Sequence, residues 1–596
     1  MNISAFLVNL PVEKKTYKMK QLLSLFISIM LVFQAVAQPE GPKSGGVYTL
    51  TSLSALMPGA IQTTSLHHFR IVQNVTLEPN DTLLLESADE YVLVDNGVTI
   101  TILGSLQTQE RTQPLLIQGD STQNNYFEMR FEDAVSCLLS KIHVQYCQHI
   151  TLINSDVQID SCEFDHFSSH VISYMNCNPV IQNCYIHDNQ ACAIQSAVNA
   201  DGCPNILNNV FYNNVLGNAN TPQINIGPGT MDTIRIIGNH IEGVASNMSG
   251  GIAIMNMYNT NVTKVLLKDN IITNNRYGYT QNGYRISSNI VDNQFVDNNL
   301  EVTPNNGGSG ISIYGYDTTC AAKLRRNLIT GNLWGVTAIY YHHVDMGTAE
   351  DPGYNLLYNN GNSGVDYELY NNAFSNMDAV GNYWGCDNAA DAEAVIFHQA
   401  DDPSLGIVNY LPIYELEPEI ISFDLLDENN PALSEYGDLY GVITESDSIL
   451  FYVGCVLPDL SNIKPTIVKP LGVVVSPDES EAQDFLESDV SYTATTPHQS
   501  SRTYVVHVNI GGDVPDNILT KINLAPNPVT QGCFTLDNPT EETLHWQIFT
   551  LEGRCVMRGK AQPGTNRIAT STLQSGAYLV YIQKDNMFIA KKIIVR

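Results

Sequence analysis

Between residues 140 and 385 the polar and apolar positions obey one short rule, repeated many times. An asparagine is followed by any residue, an apolar residue, two more residues and a second asparagine. The copies read Asn209-Val-Phe211-Tyr-Asn-Asn214, Asn270-Ile-Ile272-Thr-Asn-Asn275, Asn293-Gln-Phe295-Val-Asp-Asn298, Asn327-Leu-Ile329-Thr-Gly-Asn332 and Asn355-Leu-Leu357-Tyr-Asn-Asn360. Two earlier copies open on cysteine, at Cys162 and Cys184; a partial copy opens at Asn239 and the last at Asn382. Many copies are followed by a glycine and alternating apolar residues, as in Gly251-Ile-Ala-Ile254, Gly310-Ile-Ser-Ile313 and Gly335-Val-Thr-Ala338. Alternation with period two predicts short strands, and the Asn and Gly positions between them predict turns. No copy contains an amphipathic stretch of helical length. Strands are also expected upstream at Thr99–Leu103 and Leu115–Gln118.

Successive copies lie 22 to 34 residues apart, the first positions being 162, 184, 209, 239, 270, 293, 327, 355 and 382. A unit of that length built only of short strands cannot bury its apolar side alone. It is stabilised when the chain coils and each strand pairs in parallel with its equivalent in the next coil. The fold class read from this pattern is all-β, with a parallel β-helix over residues 38–415. Asparagine suits the corner because it tolerates left-handed backbone angles and because stacked carboxamides can hydrogen-bond from coil to coil. Cys162 and Cys184 stand at the same ladder position and are read as small packing residues rather than a disulfide.

The pattern resembles the right-handed parallel β-helix repeat family of pectate-lyase-like proteins, over roughly residues 46–415. The segment Asp378-Ala-Val-Gly-Asn-Tyr-Trp-Gly385, followed by Val408-Asn-Tyr-Leu-Pro412, resembles the terminal coil of such proteins. Downstream, Pro412 to Pro418 reads as a linker. Residues 416–515 read as an all-β module with strand-like runs at Ile449–Val453, Gly472–Val475 and Tyr504–Val508. That module is similar to immunoglobulin-like modules of Bacteroidetes surface proteins, which implies a spacer or weakly adhesive role. Residues 522–596 carry Ala525-Pro-Asn-Pro528, Ile548-Phe-Thr-Leu-Glu-Gly553, Ser575-Gly-Ala-Tyr-Leu-Val580 and a basic end at Lys591-Lys-Ile-Ile-Val-Arg596. Together these resemble the type A C-terminal sorting domain of the type IX secretion system. The resemblance implies a small β-sandwich, with the secretion machinery as partner and a destination outside the cell or on its outer surface.

Composition narrows the picture further. The chain has 29 basic and 61 acidic side chains, a formal net charge of -32. Phosphate binding needs basic surface, so nucleic acid is excluded as a partner. The acidity is concentrated in residues 416–521, which hold 18 acids and 4 bases, whereas 522–596 hold five acids and eight bases. Near the start, Lys18 and Lys20 precede the apolar run Leu22–Val36, and Ala35-Val36-Ala37 follows. These are the three parts of a secretory signal peptide over residues 1–37, with Met19 the more natural start. No later segment is apolar for long enough to span a bilayer.

Candidate chemistry falls into four groups. First, Lys268, Asp269, Asp292, Arg325 and Arg326 stand just before ladder asparagines, so Asp269, Asp292 and Arg326 share one column. The family resemblance implies two catalytic patterns: lyases with a Lys or Arg base and Ca2+ on acidic ligands, and hydrolases with paired carboxylates. A solvated ion-pair ladder is the alternative meaning of that column. Second, His342, His343 and Asp345 sit in a longer insertion of the kind that builds groove walls. Third, Asp165 shares a register with His187, and His166 with Asp188, with His170 nearby; a His–carboxylate pair can move protons or hold a metal. Fourth, Tyr279, Tyr314, Tyr316, Tyr340 and Tyr341 concentrate on successive coils, and tyrosine offers sugars a flat apolar face with a hydroxyl. There is no G-x-S-x-G, H-E-x-x-H, P-loop or EF-hand loop. The expectation is a secreted or cell-surface protein that binds extracellular polysaccharide or acts as an adhesin. The alternatives are a polysaccharide lyase or glycoside hydrolase acting on acidic glycans in the groove, and a non-catalytic stalk.

Overall fold

The computed structural model describes residues 45–596, apart from 122–125, 198–199, 219, 246, 258–260, 302, 454–457, 487–488, 511–520, 531, 551–554, 572 and 585–586. The signal-peptide segment lies outside the described residues. The chain divides into two compact units, Met1–Leu266 and Leu267–Arg596.

In the first unit the chain winds as a right-handed parallel β-helix, and each coil contributes strands to three faces; the first face is a separate three-stranded sheet in the opening coils (Val47–Thr49, Thr82–Leu85 and Ser105–Thr108) and becomes sheet 1 from Cys137–Ser140 onward. Sheet 1 precedes the corner that carries the ladder position, sheet 2 follows it, and sheet 3 closes the coil. In sheet 2 the strands Ile142–Gln145, Glu163–Asp165, Tyr185–His187, Val210–Tyr212 and His240–Glu242 pair in parallel. Alternation decides which side chains enter the core. Val144, Phe164, Ile186, Phe211 and Ile241 stack inward in register and are fully buried. Their neighbours stand outside in two columns. The expected strands at 99–103 and 115–118 are present as Thr99–Ile102 and Leu115–Gly119. A short helix, α1 (Leu50–Leu56), precedes the coils. It is capped by Thr49 in a capping box with Ser52, buries Leu50 and Leu53, and packs against the strands Val47–Thr49 and Ile61–Ser65.

The second unit repeats the same three-sheet coil. Its sheet 2 holds Ile271–Thr273, Gln294–Val296, Leu328–Thr330 and Leu356–Tyr358, and its sheet 3 holds Tyr279–Gly283, Ser309–Gly315, Trp334–Tyr340, Leu369–Ala373 and Ile396–Phe397. The Asp378–Gly385 segment is in the last coil, which Val408–Asn409 completes in sheet 1. Beyond it stand a three-stranded antiparallel sheet and a five-stranded mixed sheet over residues 422–510, around Phe423, Phe451, Phe485 and Tyr492. Residues 523–595 form a three-stranded and a four-stranded antiparallel sheet around Phe534, Trp546, Val580 and Ile593.

The asparagines form buried ladders. Asn270, Asn293, Asn327 and Asn355 each donate a side-chain amide to the next asparagine's Oδ1, at 2.7–3.0 Å, ending on Asn382. The same Oδ1 also accepts the backbone N–H of the preceding coil's asparagine. In the first unit Cys184 N–H bonds Asn209 Oδ1, and Asn209 bonds Asn239. The second asparagine of the motif builds a parallel ladder at the other end of the strand: Asn189 to Asn214, and Asn275 through Asn298 and Asn332 to Asn360. A buried carboxamide with every valence used costs little, whereas removing one member strands its neighbours at about 1–3 kcal/mol.

The left-handed residue is not the ladder asparagine, contrary to the sequence expectation. It is the residue before it: Asn208, Gly238, Asp269, Asp292, Arg326, Tyr354 and Gly381 all have positive φ. The same holds at the second corner, with Asn213, Asn274, Asp297, Gly331 and Asn359. The bend turns on that residue, which leaves the asparagine free to point inward and bond along the stack. Cys162 and Cys184 are buried free thiols.

Candidate functional site

Each charged candidate has a partner. Arg326 holds Asp292 with Nε–Oδ1 2.7 Å and Nη2–Oδ2 3.2 Å, a two-pronged pair, and Lys268 Nζ stands 3.6 Å from Asp269. Asp292 and Arg326 are thus brought together as the register predicted. Arg325 belongs elsewhere. Its alternate pleat position buries it, and its guanidinium grips Asp345 at 2.8 and 2.9 Å and Asp351 at 2.9 Å. Hydrogen bonding by Arg325 holds the Asp351 carboxyl below its usual range, despite some burial, with Lys323 assisting at 2.7 Å. The structure therefore joins Arg325 to Asp345, which the sequence placed in separate groups. Asp269 and Asp292 also line a cleft of about 390 Å³ whose other wall includes Leu471, Thr550 and Tyr578.

His342 and His343 do not form a pair. His343 is exposed at the start of its strand. His342 is buried, and that burial drives its imidazole down to about 4, against an opposing pull from Asn371, so it is neutral at pH 7.

The tyrosines divide. Tyr279 is fully buried, its hydroxyl 2.7 Å from Ser288 Oγ, so it fills the coil interior and offers no face to a ligand. That placement corrects its reading as a sugar contact, and the reason is pleat parity: Tyr279 pairs with the inward Ile311. Tyr314, Tyr316 and Tyr340 instead form an outer cluster with Tyr284. The ring centroids are 5.1 Å apart for Tyr284–Tyr316, 5.5 Å for Tyr314–Tyr316 and 5.0 Å for Tyr314–Tyr340, all near edge-to-face. Desolvation, and then the Tyr340 hydroxyl, push Tyr314 up to about 12. Tyr340 and Tyr341 are about half exposed, and Tyr341 lies 6.4 Å from the exposed Phe374. The rings come from the ends of neighbouring sheet 3 strands, so they form a band across successive coils. Tyr367 is half-buried against Trp334, with ring centroids 4.7 Å apart.

The third group, in the first unit, is tighter than the sequence suggested. Asp165 is almost fully buried on the outer side of sheet 2. His143 Nε2 is 2.6 Å from its Oδ2, Gln145 Nε2 is 3.1 Å from both oxygens, and His166 bonds Oδ1. Burial alone raises a carboxyl, but here these hydrogen bonds outweigh it and bring Asp165 down to about 2. His187 bonds Glu163 through Nε2 at 3.1 Å and Asp188 through Nδ1 at 2.8 Å. Sequence reasoning missed His143 and Glu163. His143 stands on a coil whose ladder position is Ile142 rather than asparagine, so no repeat motif flags it; its pairing with Glu163 is nevertheless one rung of the same register.

Residues 523–596 match the family described as Secretion system C-terminal sorting domain, and residues 280–389 match Protein of unknown function DUF1565. No curated protein matches. Among solved structures, the chain is similar to the periplasmic alginate epimerase AlgG, at 12% identity over 62% of this chain and 84% of that one, with a TM-score of 0.34. It is also similar to a mannuronic acid specific polysaccharide family 6 lyase from human gut microbiota, at 10% identity over 62% and 91% of the two chains, with a TM-score of 0.25. The protein is a right-handed parallel β-helix with a C-terminal type IX sorting domain, destined for the outside of the cell or its outer surface. Among the described residues no helix is long and apolar enough to cross a membrane.

Proposed function

We propose that this exported β-helix protein binds an extracellular polysaccharide along the aromatic band formed by Tyr284, Tyr314, Tyr316, Tyr340, Tyr341 and Phe374. The observation that carries the reading is the continuity of that band. Contributions from four coils bring exposed or half-exposed rings to the end of one sheet, with strand neighbours about 4.8 Å apart. A run of partly exposed rings spread over four coils suits the C–H surfaces of a chain of sugars better than it suits a single small molecule. Catalysis is less well supported. Arg325 and Arg326 are each engaged by a carboxylate, which leaves neither guanidinium ready as a proton acceptor, and His342 is enclosed.

The test is affinity electrophoresis of the purified chain in gels containing acidic or neutral glycans, alongside assays for new reducing ends and for unsaturated uronate absorbance. Retardation by at least one glycan is expected, lost in Tyr340→Ala/Tyr341→Ala, with no cleavage product. Product formation would replace the binder with an enzyme; no retardation in any glycan would leave a stalk.

A further inference from the structure

The cluster on sheet 2 of the first unit is independent of the aromatic band. Glu163, Asp165 and Asp188 lie on two adjacent coils. Each ion pair seen for them is with a histidine, namely His143, His166 or His187. Elsewhere carboxylates pair with arginine or lysine, as at Asp95, Asp292 and Asp351, or with a single histidine, as at Glu128, Glu242 and Glu393; here three histidines and three carboxylates meet in one cluster. Imidazole nitrogens and carboxylate oxygens are both metal donors, so the cluster gathers a mixed donor set on two adjacent coils and the rung before them.

We infer that His143, Glu163 and Asp165 bind a divalent transition-metal ion of the zinc class, with His187 in reach as a fourth ligand. One donor atom from each of the three lies within 4.8 Å of the others. Donors around a tetrahedral zinc ion, bonded at about 2.0–2.1 Å, stand roughly 3.3 Å apart, so small torsional changes close the shell. His187 Nε2 is 3.1 Å from Glu163 Oε1 and 3.9 Å from Asp165 Oδ2. In the arrangement seen, His143 Nε2 and Asp165 Oδ2 are hydrogen-bonded at 2.6 Å, and a bound ion would replace that bond and sit between them.

The supporting groups are those a metal site needs. His143 opposes Glu163, and Gln145 opposes Asp165, which opposes His187, so three rungs of a parallel ladder fix the spacing. Asp188 fixes His187 through Nδ1, leaving Nε2 facing the carboxylates, and Gln145 orients Asp165. Tyr185 stacks on the His187 ring at 3.9 Å and restrains its rotation. Nitrogen donors mixed with carboxylates favour zinc, cobalt or nickel over calcium and magnesium, which prefer oxygen throughout.

The experiment titrates the metal-free full chain with Co2+ and follows visible d–d absorption, then repeats the titration calorimetrically with Zn2+ and Ca2+. Expected is one saturable Co2+ per chain with a visible band, displaced by Zn2+ and unaffected by Ca2+. Glu163→Gln and His143→Ala should each weaken binding by about tenfold or more, while His240→Ala on the same sheet leaves it unchanged. Glu163 is partly exposed, so Glu163→Gln tests the site even if a change at Asp165 disturbs folding; circular dichroism checks each variant. Absence of a saturable band, equal competition by Ca2+, or unchanged affinity in both ligand variants would overturn the site.

Discussion

Sheet 2 occurs in both units, built on the same corner and the same three-residue strand, yet its outer face differs completely. In the first unit the outward columns read Glu163, Tyr185, Val210, His240 and Asp165, His187, Tyr212, Glu242. In the second they read Ile271, Gln294, Leu328, Leu356 and Thr273, Val296, Thr330, Tyr358. Leu328 and Leu356 are buried in one cluster with Leu416, Phe423 and Val473, and Val296 and Tyr358 pack against it. The inward residues of both stretches are alike, so the coil itself does not care what its outside carries. A repeat scaffold separates the two tasks: inward positions specify the fold, and outward positions are free to become a polar site in one place and a docking seat for the next domain in another.

The sharpest way to break this contrast is one substitution made at equivalent register. Leu356→Asp places an unpaired carboxylate in the covered cluster and should destabilise the second unit by about 3 kcal/mol or more. Val210→Asp, in the same column and 39% exposed, should change stability by under about 0.5 kcal/mol. Denaturant melts of the two variants decide it; equal losses would mean that the outer face of the second unit is not buried as described.

A smaller effect concerns Glu368, which ends the second asparagine ladder by accepting from Asn360 and which burial pushes up to about 8. The folded state then keeps a proton that the unfolded chain releases near its ordinary value. Stability from this residue is full below about 4.5 and falls as pH rises towards 8, by an amount on the order of a few kcal/mol. Glu368→Gln should flatten that slope, read as Tm between pH 5 and 8.5, whereas Glu163→Gln in the first unit should leave it in place. Smallest of all is Lys268→Ala. Its ion pair with Asp269 is partly exposed, so a loss under about 1 kcal/mol is expected, with glycan retardation unchanged. Loss of retardation there would return the charged corner to the functional site.

Periodicity made the coil legible, because a ladder needs the same residue type once per turn and that recurrence shows in one sequence. It also set Asp165 beside His187, since both follow ladder positions by equal steps. What it could not show was the shift of the left-handed angle to Asp269, Asp292 and Arg326: a corner can be built with its bend on either residue, and only the backbone decides. Pleat parity was legible for Phe164 or Ile272 inside the motif but not for Tyr279, which lies beyond it, so an interior side chain was read as a surface one. The seat on Leu328 and Leu356 was hidden because an outward leucine says nothing of what will cover it.

The helix Leu50–Leu56 carries a consequence of its own. A coiled stack of parallel strands has a first rung whose amides and carbonyls invite another rung, including one from a second molecule. With Leu50 and Leu53 seated and Thr49 locking the first turn, α1 lies against the opening strands Val47–Thr49 and Ile61–Ser65. About two turns of helix laid on the opening strands cover part of the edge at which end-to-end polymerisation would begin, a useful trait in a chain that must leave the cell unassembled.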